Sequence, residues 1–154
     1  MTIYFVRHAK AGDRSSWSGP DAERPLSKAG RQQAHKLGKR LGAVGVTALV
    51  SSPYVRCVQT LEPLADRTGL SIAVDERLTE GAPFEGVLEL LDALAGGAVL
   101  CSHGDVIPET IEALVRRGLQ VGTPVDWRKA SVWVLKRNKH GAFTRAVVWG
   151  PPGG

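Results

Sequence analysis

Residues 3–12 read "IYFVRHAKAG". Four apolar side chains, Ile3 to Val6, run without alternation into Arg7 and His8. A short unbroken apolar run of this kind is the pattern of a strand covered on both faces, as in a parallel sheet flanked by helices. In such sheets ligands bind beyond the carboxyl ends of the strands, which is where this run changes to a guanidinium and an imidazole.

The pattern recurs outward from this segment. "TALVSS" (47–52), "SIAV" (71–74) and "AVLCS" (98–102) are further short strands. Helical periodicities separate them. Ser27 reads as the N-cap of a helix that turns Ala34, Leu37 and Leu41 inward. Ser52 reads as the N-cap of a second helix with Pro53 at its first position, its apolar face formed by Tyr54, Cys57, Val58, Leu61, Leu64 and Ala65. Pro63 is expected to kink or split that helix, and Gly69 to end it. "FEGVLELLDALAGG" (84–97) predicts a helix with Val87, Leu88, Leu91 and Leu94 inward, stopped by Gly96. A helix from Val106 to Arg117 is expected to bury Ile107, Ile111, Leu114 and Val115. "SVWVLKR", the turn "NKHG" and "FTRAVVW" form a closing hairpin. The alternation predicts an α/β three-layer sandwich with a mostly parallel central sheet, helices on both faces and a C-terminal hairpin with an antiparallel strand. Residues 1–150 read as one domain and 151–154 as a disordered tail.

The 154 residues, 43% hydrophobic and 23% charged, match an ordinary globular composition. No apolar run approaches the ~20 residues needed to span a membrane. The N-terminus reads as a first strand rather than a signal peptide, so a cytoplasmic protein with no membrane partner is expected. Cys57 and Cys101 read as buried reduced thiols; a metal site with His8 and His103 is the alternative, but the spacing fits no metal-binding pattern. Net charge is +5 and unevenly spread. Between Glu23 and Glu62 there is no acid, and Lys and Arg occur at 24, 28, 31, 36, 39, 40 and 56; after Asp126 there are again only bases. A positive field favours an anionic ligand without choosing a phosphate ester, a nucleotide or a nucleic acid. The basic run from Ser27 to Arg40 also carries an apolar face, so it reads as a solvated surface or substrate funnel rather than a nucleic-acid interface.

Three strand ends carry chemistry: Arg7 and His8, "SSP" with Arg56 one turn further on, and "SHG" with His103. "ERLTEG" brings Glu80 towards the same edge. Singly, each has a plain structural reading: a hydrogen-bonded histidine, a surface arginine, a loop carboxylate. Together, at one edge of a parallel sheet, they describe an anion site, and Arg7 among buried neighbours needs an anion that its planar guanidinium can grip.

In these segments the chain resembles the histidine phosphatase superfamily, the phosphoglycerate mutase-like fold. Arg7-His8-Ala9 stands for the family's Arg-His-Gly. Ser51, Ser52, Pro53, Arg56, Gln59 and Thr60 match its second segment, Leu78 to Gly81 its acid-bearing segment, and Ser102-His103-Gly104 its last. The four occur in order over nearly the whole chain. Within the family the sequence resembles the small SixA-like phosphatases and, more closely, the phosphatase domain fused to Nudix hydrolases, the closer likeness carried by "VRHAKAG", "RPLSKAG", "VRCVQTLEPLA" and "LTEG". Ala9 departs from the usual glycine, and the long insertions of the mutases are absent, which favours hydrolysis over phosphoryl return.

The resemblance implies a metal-independent phosphatase with no cofactor. His8 would form a phosphohistidine; Arg7, Arg56 and His103 would hold the phosphoryl oxygens; Glu80 would act as acid and then base, with Asp75, Glu76 and Glu85 as competing carboxylates. Lys10 is a candidate substrate ligand, with a solvated surface role as its alternative. Ser51 and Ser52 read as cap and turn groups, and Trp17 as a stacking platform or a cover. The implied substrate is a phosphomonoester, a nucleotide phosphate or a protein phosphohistidine; the alternative is a phosphate-binding regulatory module of the same fold with little turnover. Oligomeric state is not readable from the sequence.

Overall fold

The computed structural model describes residues 1–153. The chain alternates strand and helix as expected: β1 (Thr2–Arg7), α1 (Lys28–Leu41), β2 (Ala48–Ser51), α2 (Val55–Thr68), β3 (Ile72–Val74), α3 (Phe84–Ala93), β4 (Ala98–Ser102), α4 (Val106–Arg116), β5 (Gln120–Val121), β6 (Val132–Arg137) and β7 (Phe143–Trp149). They form one seven-stranded sheet in the order β3-β2-β4-β1-β6-β7-β5. β1 to β4 pair in parallel, β6 runs antiparallel to β1 and β7, and β5 joins β7 in parallel.

The apolar run of β1 lacks alternation because both its faces are covered. Ile3 and Phe5 enter one core with Leu88 and Leu91 of α3 and Ile107 and Ile111 of α4. Tyr4 and Val6 enter the opposite core with Leu37 and Leu41 of α1 and Leu61 and Leu64 of α2. β4, buried along its whole length, is divided in the same way. The parallel registers then align the strand ends: Arg7 lies beside Ser102, and Ser51 beside Cys101.

Several local expectations are corrected. α2 begins at Val55 and its N-cap is Tyr54, so Ser52 and Pro53 lie outside it. The Ser52 hydroxyl accepts the Tyr54 N–H instead (3.2 Å). Pro63 sits inside a helix that is not split. Gly38 of α1 lets that helix approach closely there, since a Cβ on Gly38 would lie 3.1 Å from the Pro63 Cβ, and the packing of α1 on α2 compensates for the missing N–H. α3 stops at Ala93, leaving Leu94 as its C-cap. Val115 is 46% exposed, because the buried face of α4 is set by Ile107, Ile111 and Leu114. β5, only two residues long, has no counterpart in the apolar pattern. Of the C-terminal tail, residues 151–153 run through a turn, and Gly154 lies outside the described residues. Among the described residues no helix is long and apolar enough to cross a membrane.

Candidate active site

A cavity of about 390 Å³ opens at the aligned strand ends, bounded by Arg7, His8, Arg56 and Glu80 among others. His8 follows β1 directly, and its backbone N–H donates to the Ser102 carbonyl of β4 (3.1 Å). Its Nδ1 lies 2.8 Å from the Ala9 carbonyl oxygen. A carbonyl only accepts, so Nδ1 carries the proton and Nε2 keeps its lone pair. Burial, opposed by this hydrogen bond and reinforced by the nearby His103, Arg56 and Arg7, pushes the imidazole pKa down to about 3. The ring is therefore neutral, with a free nitrogen, at physiological pH.

Ala9 fits where the family pattern has glycine because its backbone is not in the left-handed region. Its N–H donates to Thr60 Oγ1 (2.9 Å), and that hydroxyl donates to the Arg56 carbonyl (2.7 Å). Thr60 thus ties the His8 loop to the first turn of α2. Gln59 accepts the Leu26 N–H (2.9 Å) and anchors the end of the long loop between β1 and α1.

Arg7 donates through Nη1 to the Trp127 carbonyl (2.7 Å). Burial lowers its pKa, and Asp105 opposes the change. Gly104 explains why an "SHG" sequence suits this edge: a Cβ there would lie 2.6 Å from the Arg7 Cζ. Arg56 is 1% exposed and is held over the Tyr54 ring at 4.8 Å. Its Nη2 donates to Asp21 Oδ2 (3.1 Å) and Glu80 Oε1 (3.2 Å).

His103 is buried beside His8 and does not itself line the cavity, its ring centroid lying 5.4 Å from that of His8. Its Nε2 is 2.9 Å from Ser52 Oγ, and its Nδ1 is 4.0 Å from Glu80 Oε1. We assign the Ser52 hydroxyl as the donor to Nε2, which puts the His103 proton on Nδ1. Ser52, a turn group in the sequence reading, is therefore the group that orients this imidazole. Arg7 Nε, Arg56 Nε and His103 Nδ1 are buried donors with no hydrogen-bond partner among the described residues. Buried donors are normally satisfied, so three from neighbouring cationic or imidazole groups mark a site built to receive an acceptor.

Glu80 is fixed from both sides of its loop. Ser102 Oγ donates to the Leu78 carbonyl (2.7 Å), and Asp105 accepts the Gly81 N–H (2.8 Å). Among the carboxylates named for its role, Asp75 is turned to Arg77 (2.8 Å) and Glu76 to Thr79 (3.2 Å). Lys10 is exposed, makes no side-chain hydrogen bond among the described residues and does not line the cavity, so the structure does not bring it together with the other five. Ser51 donates to the Ser52 carbonyl (2.8 Å).

Three residues were not singled out from the sequence. Asp21 pairs with Arg56 and with Arg24 (3.0 Å), and although partial burial pushes its pKa up, the hydrogen bonds and charge of those arginines hold it below the usual range. Asp105 caps α4 and holds the Glu80 loop. Lys129 lines the cavity from the segment before β6. Cys57 and Cys101 are free and buried, and no three His, Cys, Asp or Glu side chains are grouped as a metal site needs among the described residues.

Residues 3–87 match the model of the histidine phosphatase superfamily (branch 1). The chain belongs to this superfamily. The 8-oxo-(d)GTP phosphatase of Mycolicibacterium smegmatis is 38% identical over 157 residues, covering 98% of this chain and 48% of that protein. A probable phosphoglycerate mutase, GpmB of Yersinia enterocolitica, is 31% identical over 81 residues, covering 52% of this chain and 38% of its own length. The chain thus spans about half or less of the curated relatives it matches. Among solved structures, the protein histidine phosphatase SixA complexed with tungstate superposes with a TM-score of 0.78 at 22% identity, covering 97% of this chain and 94% of the other, which establishes the shared histidine phosphatase fold.

Proposed function

We propose that this protein is a metal-independent phosphatase working through a phosphohistidine on His8. The observation that carries the reading is the His8 ring: a buried neutral imidazole with Nδ1 tied to the Ala9 carbonyl, leaving Nε2 as a nucleophile beside two arginines. Nε2 attacks phosphorus while the bond from phosphorus to the leaving oxygen breaks. Arg7, Arg56 and His103 Nδ1–H hold the three remaining phosphoryl oxygens, where charge is spread in the transition state. Glu80, at the cavity wall, protonates the leaving oxygen. It then takes a proton from the water that displaces the phosphoryl group, releasing phosphate and restoring neutral His8. Asp21 orients Arg56, and Ser52 orients His103.

The reading takes residues 1–150 as one phosphatase domain acting in the cytoplasm on a phosphorylated small molecule, nucleotide or protein phosphohistidine, with no membrane or nucleic-acid partner. The name of the mycobacterial relative puts nucleotide phosphates first among these. The test is hydrolysis of 4-nitrophenyl phosphate with and without EDTA. The expected result is turnover that EDTA leaves intact and that His8→Ala lowers by at least about a thousandfold, as for removal of a nucleophile. Full activity in His8→Ala overturns the reading, and tight phosphate binding without turnover favours a regulatory module instead.

A further inference from the structure

The cavity holds more positive charge than one phosphoryl group engages. Five of its lining residues are cationic. Arg7 and Arg56 are directed to the phosphoryl group, and Arg24 is turned away to Asp21 (3.0 Å) and the Gly12 carbonyl (2.6 Å). Arg14 and Lys129 remain. Arg14 meets Asp21 only at 3.9 Å, with 73% of its side chain exposed. Lys129 makes no hydrogen bond or ion pair among the described residues.

Lys129 is nevertheless held at a defined place. Two residues before it, the Trp127 carbonyl accepts from Arg7 Nη1 (2.7 Å). Immediately after it, the Ala130 N–H donates to the carbonyls of both Arg7 (3.1 Å) and His8 (3.2 Å). Ala130 does so at φ 68°, a left-handed conformation that a residue with a Cβ keeps only where its surroundings enforce it. The Lys129 backbone is thus stitched to the strand end that carries His8. Partial desolvation and the charges of Arg7, Arg24, Lys10 and Arg14 lower the Lys129 pKa, so the cluster is self-repelling. An anion relieves that repulsion.

We infer that Lys129 and Arg14 form a second anion subsite that takes the phosphate adjoining the transferred one, so that the preferred substrate carries two linked phosphates. This deepens the phosphatase reading and rests on it. The bond broken is then a phosphoanhydride: His8 Nε2 bonds to the terminal phosphorus as the bond from that phosphorus to the bridging oxygen breaks. The bridging oxygen leaves on the inner phosphate with the electron pair, and Lys129 and Arg14 hold the charge it gains. Water then displaces the phosphoryl group from His8 as orthophosphate, its proton passing through Glu80 to solvent. A departing phosphate is a weak base, with a second pKa of about 6, so this cleavage leans on positive charge more than on protonation. A second cavity of about 260 Å³ shares Arg14 and Glu80 with the first and is walled by Trp17 and Gly19; it offers room for the rest of the substrate.

The experiment is calorimetric titration with orthophosphate and with methylenediphosphonate, which cannot turn over, run beside 4-nitrophenyl phosphate hydrolysis. The expected result is that the bisphosphonate binds at least about tenfold tighter than orthophosphate, the size of one charge-assisted hydrogen bond. Lys129→Gln and Arg14→Gln should each shrink that ratio while keeping the thermal midpoint of the parent, since both side chains are exposed. Equal affinities in the parent, or a ratio that survives both substitutions, overturns the subsite. Aryl phosphate turnover reports on the phosphatase reading alone: bisphosphonate selectivity without turnover supports the subsite and removes the phosphatase, and turnover without selectivity does the reverse.

Discussion

His8 is buried as a neutral base, and this has a consequence for stability as well as chemistry. Its pKa falls from 6.5 to about 3 on folding. Between those values the unfolded chain binds a proton at this position and the folded protein does not. The His8 contribution to stability is therefore complete above pH 6.5 and declines as pH falls towards 3, by up to about 1.4 kcal/mol per pH unit. Asp21, with its pKa lowered from 3.8, loses its contribution only in more acid solution, whereas the Cys57 thiol, lowered to about 6, titrates in the same range, so the histidine is isolated by comparing the parent with His8→Ala rather than by the choice of pH. Urea unfolding at pH 5 and pH 7 should show the parent losing about 2 kcal/mol more than His8→Ala. Equal pH dependence in the two proteins contradicts the burial of a neutral His8. The place of His8 and Arg7 was legible because charged groups follow an unbroken apolar run. The roles of Asp21, Lys129 and Ser52 were not, because each depends on a partner far away in sequence: Asp21 meets Arg56 across 35 residues, and Ser52 meets His103 across 51.

At the scale of elements, the glycines that let segments touch give separable predictions. Gly104, between β4 and α4, faces the far end of a side chain, the Arg7 guanidinium, rather than backbone. Gly104→Ala should leave the unfolding midpoint nearly unchanged and lower kcat/KM by about tenfold or more, because the guanidinium is pushed from its position at the strand end. Gly30, near the start of α1, faces the Lys10 backbone carbonyl, which has no such freedom. Gly30→Ala raises helix propensity by about 1 kcal/mol, yet it should destabilise by about 1–3 kcal/mol net through overpacking, read by the same urea melts. An unaltered melt for Gly30→Ala, or a collapsed one for Gly104→Ala, contradicts these contacts. The parallel strands, the helices and the closing hairpin were readable from apolar runs and their spacing. The sequence places the start of α2 too early because Ser52 has the chemistry of an N-cap but uses it in a turn and on His103. β5 and the segment 127–130 leave no local pattern because their partners, β7 and the end of β1, are adjacent in space but distant in sequence.

Over the whole molecule, the net charge of +5 and the cluster of cations at one sheet edge form a funnel for anions. Attraction of this kind is screened within about 10 Å at 0.1 M salt. The kcat/KM for an aryl phosphate should therefore fall several-fold between about 20 and 200 mM KCl, with kcat changing less, because capture is screened more than chemistry inside the cavity. A salt-independent kcat/KM would show that the surface charge does not serve substrate capture. The phosphohistidine itself is tested most directly by rapid acid-free quenching during turnover, followed by mass spectrometry of the peptide that carries residues 3–12. A single phosphoryl group on His8, absent after acid treatment and absent from His8→Ala, is the predicted result. Turnover with no phosphoryl group on His8, or with one retained elsewhere in His8→Ala, would contradict it.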